Sequence, residues 1–208
     1  MHKEIAKAQD IIVETLYGVF DKAVLHGGTA IWRCYKGRRF SEDVDVYISK
    51  DIKKLNLLFK LLEKKGFFIE KKKIGENSVY SNLQINRTKV RFEAVFKKIK
   101  GSLTDYETIE GNFLTIYALT PEEIIKEKVS AYLNRLKIRD LYDLFFLMRY
   151  IENIYSVKDT LGVLVKKFKE PFDEKELNVL IYEGLIPSSG DMLSYIQKRI
   201  KNGQRKIS

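Results

Sequence analysis

Ser41-Glu42-Asp43-Val44-Asp45-Val46-Tyr47-Ile48 decides the fold of the first half of the chain. From Asp43 the pattern alternates strictly, with Val44, Val46 and Ile48 on one face and Asp43, Asp45 and Tyr47 on the other. A period of two with one apolar side predicts a strand buried on a single face. Its two carboxylates, at i and i+2, point the same way and lie about 6.6 Å apart along the backbone. Upstream, Leu25-His26-Gly27-Gly28-Thr29-Ala30 places two glycines between a short apolar run and a brief helix.

The surrounding pattern supplies the layers that strand needs. Ile5, Ala8, Ile12, Leu16 and Val19 recur at helical spacing, predicting an amphipathic helix over 3–20. Ala23-Val24-Leu25 reads as a short strand, and Thr29 to Tyr35 as a helix ending near Gly37. A second amphipathic helix is expected over Asp51–Lys65, with Gly66 just past its end. Strand-like runs follow at Phe67–Ile74, Val79–Ile85, Lys89–Phe96 and Phe113–Tyr117. The texture changes at Thr120-Pro121-Glu122-Glu123, which has the residues of a capping box with proline in the first turn. From there helices are expected over 121–137, 139–152, 157–168, 173–182 and 189–201. The reading is an α+β domain over 1–117, a mixed sheet with flanking helices, followed by a helical bundle over 118–208, with the active site in the cleft between them.

Composition narrows the class. The 208 residues carry 38 Lys+Arg against 28 Asp+Glu, a formal net charge of +10, and at 45% hydrophobic they can bury a core. The longest apolar run, Leu144 to Met148, falls far short of the roughly 18 residues a membrane span requires. The N-terminal pattern is amphipathic, unlike the apolar core of a signal peptide. One cysteine, Cys34, excludes an intrachain disulfide, and two histidines exclude a His-rich zinc cluster. The expectation is a cytoplasmic, basic, globular protein. Lysines gather at Lys64-Lys65, Lys71-Lys72-Lys73, Lys97-Lys98-Lys100 and in the tail to Arg205-Lys206, several near Phe67, Phe68 and Phe96. Cations beside aromatics suit nucleic acid, and they also suit a solvated surface over a core.

Glycine lets backbone N–H groups turn toward an anion, and a helix N-terminus adds positive potential. Gly27, Gly28 and Thr29 are therefore candidates to cradle a phosphate, and Asp43 and Asp45 to hold Mg²⁺. Glu93, on the polar face of its own strand, becomes a third acid if that strand neighbours the first. Converging carboxylates are costly unless a dication neutralises them. An anion cradle beside such a cluster is what nucleotidyl transfer from a nucleoside triphosphate (NTP) requires, with one ion on the triphosphate and another on the attacking hydroxyl.

Leu25-His26-Gly27-Gly28, Asp43-Val44-Asp45-Val46 and Phe92-Glu93-Ala94 together resemble the three-part signature of the DNA polymerase β-like nucleotidyltransferase superfamily. The spacer is slightly long, and the third acid is Glu in place of Asp. Lys128-Val129-Ser130-Ala131-Tyr132-Leu133-Asn134-Arg135 and Arg139-Asp140-Leu141-Tyr142-Asp143-Leu144 look like the helical motifs of abortive-infection toxins of the AbiEii/AbiGii type. Arg39-Phe40-Ser41-Glu42-Asp43-Val44-Asp45 and Leu119-Thr120-Pro121-Glu122-Glu123 match that family as well, so the resemblance spans about 22–150. It implies a polymerase β-like fold and a Mg²⁺-dependent transferase with a two-metal site in which Mn²⁺ can substitute. Asp43, Asp45 and Glu93 would be the metal and catalytic acids. Gly27, Gly28, Thr29, Ser41, Lys128 and Arg135 would be the nucleotide contacts, and Lys128 and Asp143 would join the catalytic residues, Asp143 being needed for activity. It further implies an RNA acceptor, with a tRNA 3′ end as the expected case, and a toxin whose partner is a cognate antitoxin. A protein or small-molecule hydroxyl as acceptor, and a catalytically silent RNA- or partner-binding module, are the alternatives.

Overall fold

The computed structural model describes residues 2–181 and 184–204, with side chains through Asn202. Arg205 and Lys206 of the basic tail, and the last position of the helix expected over 173–182, lie outside the described residues. The chain divides into two compact units that meet in sequence between Leu119 and Thr120.

The first unit opens with α1 (His2–Val19), whose stripe Ile5, Ala8, Ile12 and Leu16 is buried. β1 (Val24–His26) leads directly into α2 (Gly27–Cys34), and β2 (Asp43–Ile48) follows. α3 (Ile52–Lys64) starts at Asp51, whose carboxylate accepts the Lys54 N–H at 3.0 Å. β3 (Phe68–Ile74), β4 (Ser78–Ile85), β5 (Thr88–Phe96), β6 (Ser102–Glu107) and β7 (Phe113–Ala118) complete the unit. All seven strands form one sheet in the order β3-β4-β5-β2-β1-β7-β6. β2 runs parallel to β5 and antiparallel to β1, while β3, β4 and β5 form an antiparallel meander. Val44, Val46, Ile48, Phe92, Ala94, Val79 and Leu83 are all buried on one side of it. Phe59 of α3 meets Phe92 edge-on there, with ring centroids 6.3 Å apart. The opposite face of the same strands carries the polar side chains. The expected mixed sheet with flanking helices is therefore the observed fold.

β6 was not expected. Ser102-Leu103-Thr104-Asp105-Tyr106-Glu107 is an outer strand of which Tyr106 alone is buried, so it lacks the alternation that reveals a strand.

The second unit begins at α4 (Pro121–Arg135), with the expected capping box: Thr120 Oγ1 accepts the Glu123 N–H at 3.3 Å, and a Glu123 carboxylate oxygen accepts the Thr120 N–H at 2.9 Å. Leu136 closes the helix in the left-handed conformation at φ 49°. α5 (Ile138–Leu147) is shorter than the expected 139–152, because the chain tightens into a 3₁₀ turn over Met148–Tyr150. The Arg199 guanidinium donates to the Met148 and Ile151 carbonyls, at 3.0 and 2.7 Å, and satisfies that end. α6 (Lys158–Lys167) follows a 3₁₀ turn at Ile154–Ser156. The expected helix over 173–182 is a 3₁₀ turn, Glu174–Glu176, and a single α-turn, α7 (Leu177–Leu180), with Ile181 extended. Asp173 is held out of helical geometry by its carboxylate, which accepts the Ile138 N–H at 2.7 Å. The last helix is α8 (Ser189–Gln204).

Candidate active site

Strand register brings the first-unit candidates together. β1 pairs His26 with Asp45, and β5 pairs Asp43 with Arg91 and Asp45 with Glu93. Laterally paired residues point to the same face, so Asp43, Asp45 and Glu93 share the polar side of the sheet. Gly27 stands against them at φ +71°, and a Cβ there would lie 2.5 Å from the Asp45 Oδ2. At Gly28 a Cβ would lie 2.6 Å from the Ser41 Oγ and 2.7 Å from the Arg39 guanidinium. The positive φ at Gly27 and the close approach at both positions favour glycine in the first turn of α2. Thr29 is fully buried and donates its hydroxyl to the Asp43 carbonyl, which ties α2 to the start of β2.

Three contributors were not singled out by sequence reasoning. Gln9 of α1 is fully buried, and its amide donates to the Ser41 carbonyl at 2.9 Å and the Asp43 carbonyl at 3.4 Å. A polar residue inside the buried stripe of α1 was the available signal. Arg39 is 6% exposed and donates to the Phe40 carbonyl at 2.8 Å, which places its charge beside Gly28 and Ser41. Arg91 forms an ion pair with Asp43. His26 stacks on Tyr47 with ring centroids 4.1 Å apart. Burial pushes the Cys34 thiol up to about 12, so it is no nucleophile near neutral pH.

The donor set suits a hard dication: carboxylate oxygens on one face, with Asp45 and Glu93 in lateral register. Among the described residues no three acidic, histidine or cysteine side chains yet enclose a metal position, and Asp43 is turned to Arg91.

In the second unit the expected residues form a buried charge cluster. Lys128 Nζ lies 2.7 Å from Asp143 Oδ2 and 3.3 Å from Asp140 Oδ1. Arg135 grips Asp140 with two parallel N–H bonds of 2.7 and 2.8 Å. Asp140 and Asp143 are almost wholly buried, and the buried Lys128 and half-exposed Arg135 bring positive charge to them. An ammonium has three N–H bonds, and these carboxylates engage two of them.

Solved structures of similar fold place the architecture in a class. MenT4, a nucleotidyltransferase toxin from Mycobacterium tuberculosis, is 17% identical with a TM-score of 0.68, over 97% of this chain and 85% of that one. JHP933 from Helicobacter pylori is 21% identical with a TM-score of 0.66, over 99% of this chain and 93% of that one. The fold is that of the nucleotidyltransferases.

The family model of the AbiEii nucleotidyl transferase toxin, from type IV toxin–antitoxin systems, matches residues 12–192, and the chain belongs to that family. The match continues past residue 150, where the sequence motifs gave no resemblance, and takes in α6, α7 and the start of α8. No curated protein matches the chain. Among the described residues, no helix is long and apolar enough to cross a membrane.

Proposed function

We propose that the chain transfers a nucleotide from an NTP to a hydroxyl at the end of an RNA, with a tRNA 3′ end as the first candidate. It would do so in the cytoplasm as the toxin restrained by a cognate antitoxin. The observation that carries this reading is the approach of Gly27 to Asp45: a backbone turn with no side chain lies against a carboxylate that is itself in register with Glu93.

Gly27 and Gly28 open the first turn of α2 to the triphosphate, and the helix N-terminus favours its negative charge. Ser41 adds a hydroxyl at the same wall. Arg39 adds a fixed positive charge, and Thr29 and Gln9 hold the strand start in place. Asp43 and Asp45 would hold Mg²⁺, or Mn²⁺ in its stead, and with Glu93 would make a two-metal site. When bound, the ions neutralise phosphate charge and make the acceptor hydroxyl easier to deprotonate. Glu93 orients that hydroxyl or accepts its proton. Lys128 contacts the triphosphate through the N–H its two carboxylates leave, Asp143 orients Lys128, and Arg135 adds a second cation. Attack of the hydroxyl oxygen on the α-phosphorus forms the new phosphodiester as pyrophosphate leaves.

The test is incorporation of each labelled NTP into total RNA with Mg²⁺, beside an Asp43→Ala/Asp45→Ala control. Label in a tRNA-sized band only with intact acids supports the reading. Label on the protein moves the acceptor to a protein hydroxyl. No label with either Mg²⁺ or Mn²⁺ and folded protein argues for a silent binding module.

A further inference from the structure

β3 is the outer strand at the other edge of the sheet from β6, and every residue in it except Ile69 is exposed. Its pairing with β4 begins as Phe68↔Gln84 and Ile69↔Leu83, then resumes as Lys71↔Asn82 and Lys73↔Tyr80. Glu70 is thus one extra residue, a β-bulge. An unbroken ladder would set Glu70 opposite Asn82 and Lys72 opposite Tyr80, a pair of opposite charges. The bulge shifts the register by one and exchanges the two faces. Lys71 and Lys73 therefore join the face of Asp43, Asp45 and Glu93. Lys72 turns to the other side, where its ammonium lies 4.8 Å from the Phe59 ring centroid. Glu70 is neutralised by Lys89 at 2.6 Å.

Two rows now cross the sheet toward the acids. One runs Lys71, Asn82, Arg91, Asp43, and the other Lys73, Tyr80, Glu93, Asp45. At strand spacing each row is roughly 14 Å long. Phe68 adds an aromatic ring, 66% exposed, near the outer end of the same face, and the Lys71 ammonium lies 5.4 Å from the Tyr80 ring centroid. Cations interleaved with aromatics hold single-stranded nucleic acid through phosphates and base stacking together.

We propose that these rows seat the single-stranded end of an RNA acceptor, with Lys71 and Lys73 on its phosphates and Tyr80 and Phe68 against its bases. The assignment rests on the RNA-acceptor reading above and adds where the strand lies and what sets its position. The bulge supplies a positive approach at the sheet's edge and leaves the acids at its inner end.

The test is fluorescence anisotropy of a labelled single-stranded RNA oligonucleotide, without NTP, against the whole chain. Lys71→Glu/Lys73→Glu should weaken binding about tenfold or more and lower the salt slope by about two. Tyr80→Ala should weaken it by at least about fivefold with the salt slope unchanged. Lys72→Glu, on the opposite face, should change it less than about twofold. Thermal melts confirm that each variant folds. Equal loss in Lys72→Glu, no loss in the double variant, or no binding by the unaltered chain overturns the proposal. Incorporation of label into RNA by the unaltered chain is scored separately and decides the reading beneath it.

Discussion

Arg91 and Asp43 sit side by side on parallel strands, and the guanidinium closes on the carboxylate proposed above to hold a metal. The pair is partly exposed, 41% at Arg91 and 19% at Asp43. A pair so placed is worth about 1 kcal/mol, and a competing cation would have to overcome it.

Removing Arg91 should therefore tighten metal binding. In Arg91→Ala, Mn²⁺ affinity measured by electron paramagnetic resonance in the absence of nucleotide is expected to rise about fivefold. Arg91→Lys should fall between. Unchanged Mn²⁺ affinity in both variants would show that the ion pair and the metal do not compete.

Gly27→Ala joins two penalties. A left-handed conformation costs a non-glycine residue about 1–2 kcal/mol, and the new methyl would sit 2.5 Å from the Asp45 Oδ2. The expected result is a melting temperature a few degrees lower and a fall of at least about 100-fold in kcat/KM for nucleotide incorporation, since a displaced reacting group loses about that much. Near-normal turnover would remove the reason for glycine at this position.

The cluster in the second unit predicts a ranking. Lys128→Met removes the ammonium that faces both buried carboxylates and should cost about 1.5–3 kcal/mol in urea unfolding. Arg135 is 46% exposed at its side chain, and Asp140 keeps Lys128 when it is lost, so Arg135→Met should cost less. The reverse order would show that Arg135 is the principal counter-charge.

Asp173 makes acid stability titratable. Burial pushes its carboxyl up, but the Ile138 N–H and the Lys137 ammonium outweigh burial and hold it below the ordinary carboxylate range. A depressed value in the folded state gives stability that is full above the unfolded value, about 3.9, and is lost as pH falls through the folded one. Asp173→Asn should therefore cost about 1.5–3 kcal/mol near pH 7 and progressively less below about pH 4. A gap between the two proteins that stays constant with pH would contradict this.

How much of this was legible in the sequence depended on whether the pattern was local. The alternation of β2, the capping box at Thr120 and the glycine pair are written in consecutive residues, and each was read at close to its true place. β6 was missed because an outer strand with one buried residue leaves no period to find. The ends of α5 and α7 were missed because Arg199 and Asp173 act from far along the chain or through tertiary bonds. For the candidate site, the acids and glycines could be named from spacing. The ion pair of Asp43 with Arg91 could not, since it depends on which strands lie together and in what register. The one-residue shift at Glu70 is of the same kind: Lys71, Lys72 and Lys73 read alike until the ladder assigns them to opposite faces.

The kink at Glu70 also bears on how copies of this chain meet one another. An outer strand offers unpaired N–H and C=O groups to any other extended segment, and a flat apolar one recruits strands into aggregates. Here three successive lysines and a local bend make such edge-to-edge pairing unfavourable. Straightening the strand and making it apolar would not only strip the approach to the acids of its charge; it would leave the sheet open to self-assembly at the concentrations used to study it.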